Sequence, residues 1–365
     1  MQLRILNWNV GGAKYLELGT KDKKNEFRER LNEALKDLIR MYRDPHVICL
    51  QEIVEYNEPN EAKENVIDMP TGYNSHSSIL IDKNRHLYVS KWENVQQKGN
   101  WPEDSYFGQG NVLLWRKDLP HFPVHSLAKL GTMYDGNSHV DEIILKSGLY
   151  FGTRDTEPRA ALLAHFIIAK NSKDEETGER IQMPLDIFVI NLHLTTLTGE
   201  REGIPKIDDS ASKMRMAQLD IVLNEIISPY NEWKRSGYPF RGKLYAPRKG
   251  EDFNRAPPIW ILCGDFNFTP DSDEYKIMER MNFVDHNPHK GRGTKGKWAG
   301  SEGSEATITC DYIFAGPKFT SLDPRIIANN VAGNPAPLSH VKVSDHFPLY
   351  AEVDIPDSTI LPKDK

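Results

Sequence analysis

The residues best placed to do chemistry are an aspartate and an asparagine, Asp265 and Asn267, in the stretch Ile259-Trp-Ile-Leu-Cys-Gly-Asp-Phe-Asn-Phe-Thr-Pro270. On an extended chain, residues two apart project to the same side, so a carboxylate and an amide leave this apolar run together. Held at the lip of a core, such a pair is costly unless it meets a metal, a water or a phosphate. Asp-Phe-Asn is also turn chemistry, since both polar residues favour turns for local reasons. The stretch alone leaves both readings open.

Other stretches repeat the pattern. Asn9, Glu52, His193, Asp311, Asp345 and His346 each follow or abut an apolar run. Rigid strands can hold several side chains on one point, which is why ligands recur at strand ends. The set is dominated by oxygen donors, and hard oxygen ligands that include carboxylates suit Mg²⁺ or Mn²⁺. No cysteine cluster points to zinc.

The elements that must position these groups read as follows. Leu3 to Val10 is a strand ended by Gly11-Gly12, and Phe27, Leu31, Leu35, Leu38 and Tyr42 form one apolar stripe on a helix over 24–43. Asp44-Pro45 stops that helix before a second buried strand, 46–51. Strand, helix and strand with short links predict a right-handed crossover between parallel neighbours. A strand at 110–115 and a hairpin over 159–193, with its turn at 170–182, come next. Met216, Leu219, Leu223 and Ile226 mark a helix over 210–228. Residues 229–258 read as a Pro, Gly and Arg/Lys-rich insertion. The stretch 259–265 is a strand buried on both faces, Asp271 with Glu274 predicts a capping box, and 311–315 and 347–353 are late strands.

The chain has 365 residues, 39% hydrophobic and 27% charged, with a formal charge of −6. That composition supports a sizeable core and argues against a basic nucleic-acid coat over the whole surface. No apolar run reaches the ~20 residues that span a bilayer, and the N-terminus reads as a strand rather than a signal peptide. Cys49, Cys263 and Cys310 sit in apolar runs, so buried reduced thiols and a cytoplasmic location are expected. Two basic runs stand out. One is Lys234, Arg235, Arg241, Lys243, Arg248, Lys249 and Arg255; the other is Lys290, Arg292, Lys295 and Lys297, ending in Trp298. Both are either solvated loops or a backbone-binding surface.

Asn7-Trp-Asn9-Val, Leu50-Gln-Glu52, Asn191-Leu-His193, Gly264-Asp-Phe-Asn267, Asp311-Tyr-Ile-Phe and Ser344-Asp-His346 follow one another in the order found in the endonuclease/exonuclease/phosphatase superfamily. The resemblance spans residues 7 to 346. It implies a four-layer αββα sandwich of two mixed β-sheets face to face with helices outside. It also implies one domain over 1–355, with insertions near 55–150 and 229–258 and a tail at 356–365, in place of the two or three domains that length alone suggests.

On this resemblance Glu52 is the principal metal-ligating glutamate, Asn9 supports the metal and phosphate region, and Asp345 is the final aspartate beside the metal. Asp265 orients or deprotonates the attacking water and Asn267 is its partner on the phosphate. His346 holds the scissile phosphate, Asp311 orients that histidine, and His193 matches a second site histidine. Arg159 lies where relatives carry a phosphate-contacting arginine, although pairing with Asp155 or Glu157 explains it equally well. Asn111 sits on another familiar strand. His165, in the middle of apolar residues, reads as a core histidine. The implied activity is Mg²⁺-dependent hydrolysis of a phosphoester, foremost a phosphodiester in DNA or RNA, by direct water attack. Alternatives are a phosphomonoesterase or a lipid or inositol-phosphate phosphoesterase of the same superfamily, and a non-catalytic binding module. No membrane and no obligate protein partner is expected.

Overall fold

A computed structural model describes residues 2–11, 21–57, 64–65, 67–81, 106–119, 140–145, 159–173, 180–195, 205–236, 258–285, 295–296, 306–316, 344, 346–355 and 358–359. Asp345, most of both basic runs, Asp155 and Glu157 lie outside these residues.

The first sheet is built around β1 (Gln2–Asn9) and β2 (Val47–Asn57), parallel and joined through helix α1 (Lys21–Met41). The short β3 (Glu64–Asn65) pairs with β2. β4 (Tyr73–Ile81) and β5 (Tyr106–Arg116) complete one side antiparallel, with β5 against β2. The stretch 55–150 therefore supplies full strands of the sheet. The other edge is β14 (Leu349–Asp354), antiparallel to β1.

The second sheet repeats the plan. β6 (Val140–Leu145) and β7 (Arg159–Lys173) lead antiparallel into β8 (Arg180–His193), which is parallel to β9 (Ile259–Asp265). The hairpin strands run longer than their sequence pattern suggests, so the polar stretches at 170–173 and 180–182 are ladder rather than turn. β10 (Val284–Asp285) pairs with β13 (Asp311–Gly316), which is antiparallel to β9. β11 (Lys295–Gly296) and β12 (Ala306–Ile308) form a separate ribbon, and β15 (Ser358–Thr359) joins the edge at β7.

Between β8 and β9 the chain is helical from α2 (Pro205–Asp220) through a π-helical stretch, Ile221–Ile227, into α3 (Ser228–Ser236). Residues 229–236 are thus helix, not insertion loop. Pro229 has no N–H to donate and would break an ordinary α-helix, and the wider π turn immediately before it is where the backbone absorbs the irregularity. Helix α4 (Asp273–Arg280) is capped by Ser272, whose Oγ accepts from the Tyr275 amide at 3.2 Å. The expected box partner Glu274 points instead at Arg215.

Three cores hold four layers together. Alternation on the strands sends one row between the sheets and the other toward the helices. Ile5, Val47, Cys49, Leu113, Ile187, Val189, Ile261 and Ile313 fill the space between sheets. Leu31, Leu35 and Leu38 of α1 cover the outer face of the first sheet against Trp8, Ile48 and Leu50. Leu219, Leu223, Ile226 and Met278 cover the second against Phe188, Trp260 and Leu262. The αββα sandwich expected from the sequence is what forms, and all three cysteines are buried and free. His165 is a hydrogen-bonded histidine, 2.9 Å from Asp186 and stacked on Phe188.

Candidate active site

Each strand's inward row turns from apolar to polar at one end of the sandwich. Ile261 and Cys263 continue to Asp265; Leu3 and Ile5 to Asn7 and Asn9; Cys49 to Gln51; Leu113 to Asn111; Val189 to Asn191 and His193; Ile313 to Asp311. Because the two parallel pairs end here at their carboxyl ends, groups far apart in sequence share one cleft.

Glu52 is one residue out of phase, and its backbone corrects this. Gln51 and Glu52 oppose a single residue of β5, Asn111, between the pairs Leu50↔Val112 and Ile53↔Gly110. Such a bulge re-aims a side chain, and Glu52 takes φ 55° to complete the turn. Its Oε1 then accepts from Asn9 Nδ2 at 3.1 Å.

The same Asn9 nitrogen donates to Asp265 Oδ2 at 2.9 Å. Asn9 Oδ1 accepts from the Gly11 amide at 3.0 Å, which fixes the orientation of the side chain. Asp265 Oδ1 accepts from the Asn267 amide at 2.9 Å. The Nε2 atoms of His193 and His346 each lie 3.8 Å from Asp265 Oδ2, too far for a direct bond. Burial, then repulsion from Asp311 and Glu52, pushes the Asp265 carboxyl up to about 7 against the opposing pull of His346 and of the Asn9 hydrogen bond. A carboxyl placed there exchanges protons near neutrality, which suits a group that takes one from water.

His346 is held on several sides. Its Nδ1 lies 2.9 Å from Asp311 Oδ2, its amide donates to Ser344 Oγ at 3.0 Å, and its carbonyl accepts from Trp8 Nε1 at 3.2 Å. The Ser344 hydroxyl donates onward to the Asn9 carbonyl at 2.7 Å, joining this loop to β1. Asp311 is the register partner of Asp265 across β13 and β9, and it also accepts the Cys310 thiol at 3.5 Å. His193 is the register partner of Asp265 on the other side. Its Nδ1 is 2.9 Å from Arg159 Nη1 and its Nε2 4.0 Å from Glu52 Oε1.

Asn267, at φ 52°, turns back so that its Nδ2 donates to the Leu194 carbonyl at 3.1 Å. Gly264, just before Asp265, has φ +150°, and a Cβ there would lie 1.9 Å from the Leu192 carbonyl oxygen. Only glycine lets β8 and β9 close at this height.

Asn9, Glu52, His193, Asp265, Asn267, Asp311 and His346 thus share the cleft, with Asn111 beside the Glu52 bulge and Arg159 behind His193. Asn7, Gln51 and Asn191, which lie within the sequence motifs, form a buried seam beneath. Gln51 Nε2 donates to Asn7 Oδ1 at 2.8 Å and Asn191 Oδ1 at 2.7 Å. Asn191 Nδ2 donates to the Leu50 and Val112 carbonyls, tying the sheets together. The period of two from Asn7 to Asn9, from Cys49 to Gln51 and from Asn191 to His193 is the available signal. The pair Arg215–Glu274, buried at 2.8 Å, and Gln218, which brackets Thr195, carry no such signal.

The donor set fits a divalent cation. Glu52, His193 and Asp265 offer ligand atoms within 4.8 Å of one another, as do Asp265, Cys310, Asp311 and His346. Carboxylates crowded closely enough to repel one another's charge gain most from a cation of two charges.

The family model described as "Endonuclease/Exonuclease/phosphatase family" matches residues 6–346. No curated protein matches the sequence. Among solved structures, an endonuclease/exonuclease/phosphatase from Beutenbergia cavernae DSM 12333 aligns over 97% of this chain and 72% of its own, at 14% identity and TM-score 0.50. The catalytic domain of human Nocturnin with bound sulfate aligns over 97% and 94%, at 16% identity and TM-score 0.48. ANGEL2, described as a 2',3'-cyclic phosphatase, aligns over 97% and 95%, at 14% identity and TM-score 0.46.

Proposed function

The chain belongs to the endonuclease/exonuclease/phosphatase family and is a phosphoester hydrolase, and we propose that it is an Mg²⁺-dependent phosphodiesterase acting on nucleic acid, DNA or RNA. One observation carries the reading: Asp265 Oδ2 stands 3.8 Å from both His193 Nε2 and His346 Nε2. Both imidazole nitrogens are thus turned toward the carboxylate, so that a water taken by Asp265 and a phosphoryl oxygen taken by the histidines would meet at one point.

In this reading Asp265 accepts the proton of the attacking water, and Asn9 keeps the carboxylate in line for it. His346, oriented by Asp311, donates from Nε2 to a phosphoryl oxygen, and His193 donates from the opposite side. Asn267 holds the end of β8 against β9, and Asn111 and Arg159 complete the wall. Glu52, with Asp345, would hold the cation, and Mn²⁺ could replace Mg²⁺ there. When bound, the cation supplies Lewis-acid stabilisation of the phosphoryl charge. No covalent enzyme intermediate is needed, because one water and one leaving group suffice. The preference for a polynucleotide rests on the two basic runs in the sequence, which are suited to a phosphate backbone. We read residues 1–355 as one domain in the cytoplasm, with no membrane or obligate protein partner.

The test is turnover with Mg²⁺ or Mn²⁺ over single- and double-stranded DNA, RNA, inositol phosphates and sphingomyelin. Cleavage of a polynucleotide that stops on chelation and in Asp265→Asn is expected. Turnover of inositol phosphate or lipid without any polynucleotide cleavage would overturn the substrate choice.

A further inference from the structure

We infer that Arg159 is a positioning residue that holds His193 in the tautomer carrying its hydrogen on Nε2, so that His193 is a fixed hydrogen-bond donor and not a base. Arg159 opens β7 and is buried, as is His193 at the end of β8. Its Nη1 lies 2.9 Å from His193 Nδ1. A guanidinium has donors and no acceptor, and it stays charged at any ordinary pH. The contact is therefore a hydrogen bond only if Nδ1 presents a lone pair. A neutral imidazole with a lone pair on Nδ1 carries its hydrogen on Nε2.

That hydrogen is placed where it matters. Nε2 is the atom facing Asp265 Oδ2 at 3.8 Å and Glu52 Oε1 at 4.0 Å. His193 in this form donates into the cleft and cannot take a proton from water. With Nε2 protonated, the nitrogen of the Glu52, His193 and Asp265 group is withdrawn as a ligand, and the two carboxylates are left to offer oxygen, as a hard cation prefers.

The second histidine is set the other way. His346 Nδ1 faces a carboxylate oxygen, Asp311 Oδ2, at 2.9 Å. A carboxylate accepts, so here Nδ1 carries the hydrogen and Nε2 is the atom facing Asp265 Oδ2. The two imidazoles beside one aspartate thus differ: His193 carries a hydrogen on Nε2 as a neutral ring, whereas His346 donates from Nε2 only as the imidazolium, a difference imposed by an arginine behind one and an aspartate behind the other. The partner atom of an imidazole commonly decides its tautomer in this way.

The tautomer stands on the Arg159–His193 contact alone; only what His193 donates to rests on the proposed phosphodiesterase reading. The test uses the full chain labelled with ¹⁵N, in chelator, without substrate, at neutral pH. Long-range ¹H–¹⁵N correlation of the imidazoles gives the tautomer of each ring, with His193 assigned by its loss in His193→Gln. The expected result is a protonated Nε2 and a bare Nδ1 on His193, with Arg159→Lys retaining that pattern and Arg159→Met mixing the tautomers. An Nδ1–H tautomer or an imidazolium in the unaltered chain overturns the inference, as does an unchanged tautomer in Arg159→Met. If Arg159→Met does not fold, the unaltered chain and Arg159→Lys decide. On bis(p-nitrophenyl) phosphate with Mn²⁺, Arg159→Met should lower kcat by about 10- to 100-fold with little change in KM, and Arg159→Lys should recover most of it. A raised KM at constant kcat would make Arg159 a substrate contact instead. If no phosphodiester is hydrolysed, the spectra still decide the tautomer, so the two readings fail separately.

Discussion

Asn9 and Asp265 are joined across the sandwich by a 2.9 Å hydrogen bond, from the end of β1 in one sheet to the end of β9 in the other. The bond favours the ionised carboxyl, opposing the burial and the Asp311 charge that raise it. Removing the donor in Asn9→Leu should therefore move the acid limb of the rate profile to higher pH, because Asp265 must be ionised to accept a proton. A profile of kcat against pH with saturating metal checks this. An unmoved limb would mean that the limb belongs to another group.

The same raised carboxyl has a consequence for stability. Folding lifts Asp265 from its ordinary 3.8 to about 7, so between those values the folded chain binds a proton that the unfolded chain does not. Its contribution is present at low pH and is lost as pH rises from about 4 to about 7. In chelator, Asp265→Asn should remove that loss, so that between pH 4 and pH 8 its stability falls less than that of the unaltered chain, by on the order of a few kcal/mol, while being inactive. Parallel pH dependence of melting in the two proteins would count against a raised carboxyl.

Gly264→Ala tests the closure of β8 on β9. A methyl 1.9 Å from the Leu192 carbonyl oxygen cannot be accommodated by a side-chain rotation, because backbone must move. The expected cost is about 3 kcal/mol or more, with His193 and Asp265 losing their register. Denaturant unfolding measures it, and a change below about 1 kcal/mol would show that the strands yield more easily than this packing implies.

How the site is assembled explains what could be read before the structure. Asp265, Asn9, His193 and Asp311 continue alternating apolar strands, so a period of two locates them. Glu52 enters the cleft only because a bulge opposite Asn111 shifts its phase, and alternation alone would have turned it outward. The motif Leu50-Gln-Glu52, not periodicity, identified it. The helix over Pro205–Ser236 extends past both ends of the stripe Met216, Leu219, Leu223 and Ile226, and the π turn before Pro229 has no pattern of its own. Ser272, not Asp271, caps the helix, and Glu274 is committed to Arg215, a contact between residues 59 apart that no local signal encodes.

That Arg215–Glu274 pair is the clearest case of a buried charge supporting the site from behind. Both side chains are almost fully enclosed, at 5% and 2% exposure, and Arg215 Nη1 reaches the Thr195 carbonyl at 3.5 Å, two residues after His193. A buried pair stabilises little in itself, because desolvation offsets the attraction, but removing one partner leaves a buried charge without this counter-charge. Glu274→Ala should therefore cost about 3–5 kcal/mol, and Arg215→Met with Glu274→Leu together should recover most of it. If Thr195 is held chiefly by Gln218, through its amide at 3.0 Å and hydroxyl at 3.0 Å, the double variant should also retain turnover. A stable double variant with kcat lowered by more than about tenfold would show that Arg215 itself sets the position of the segment carrying His193.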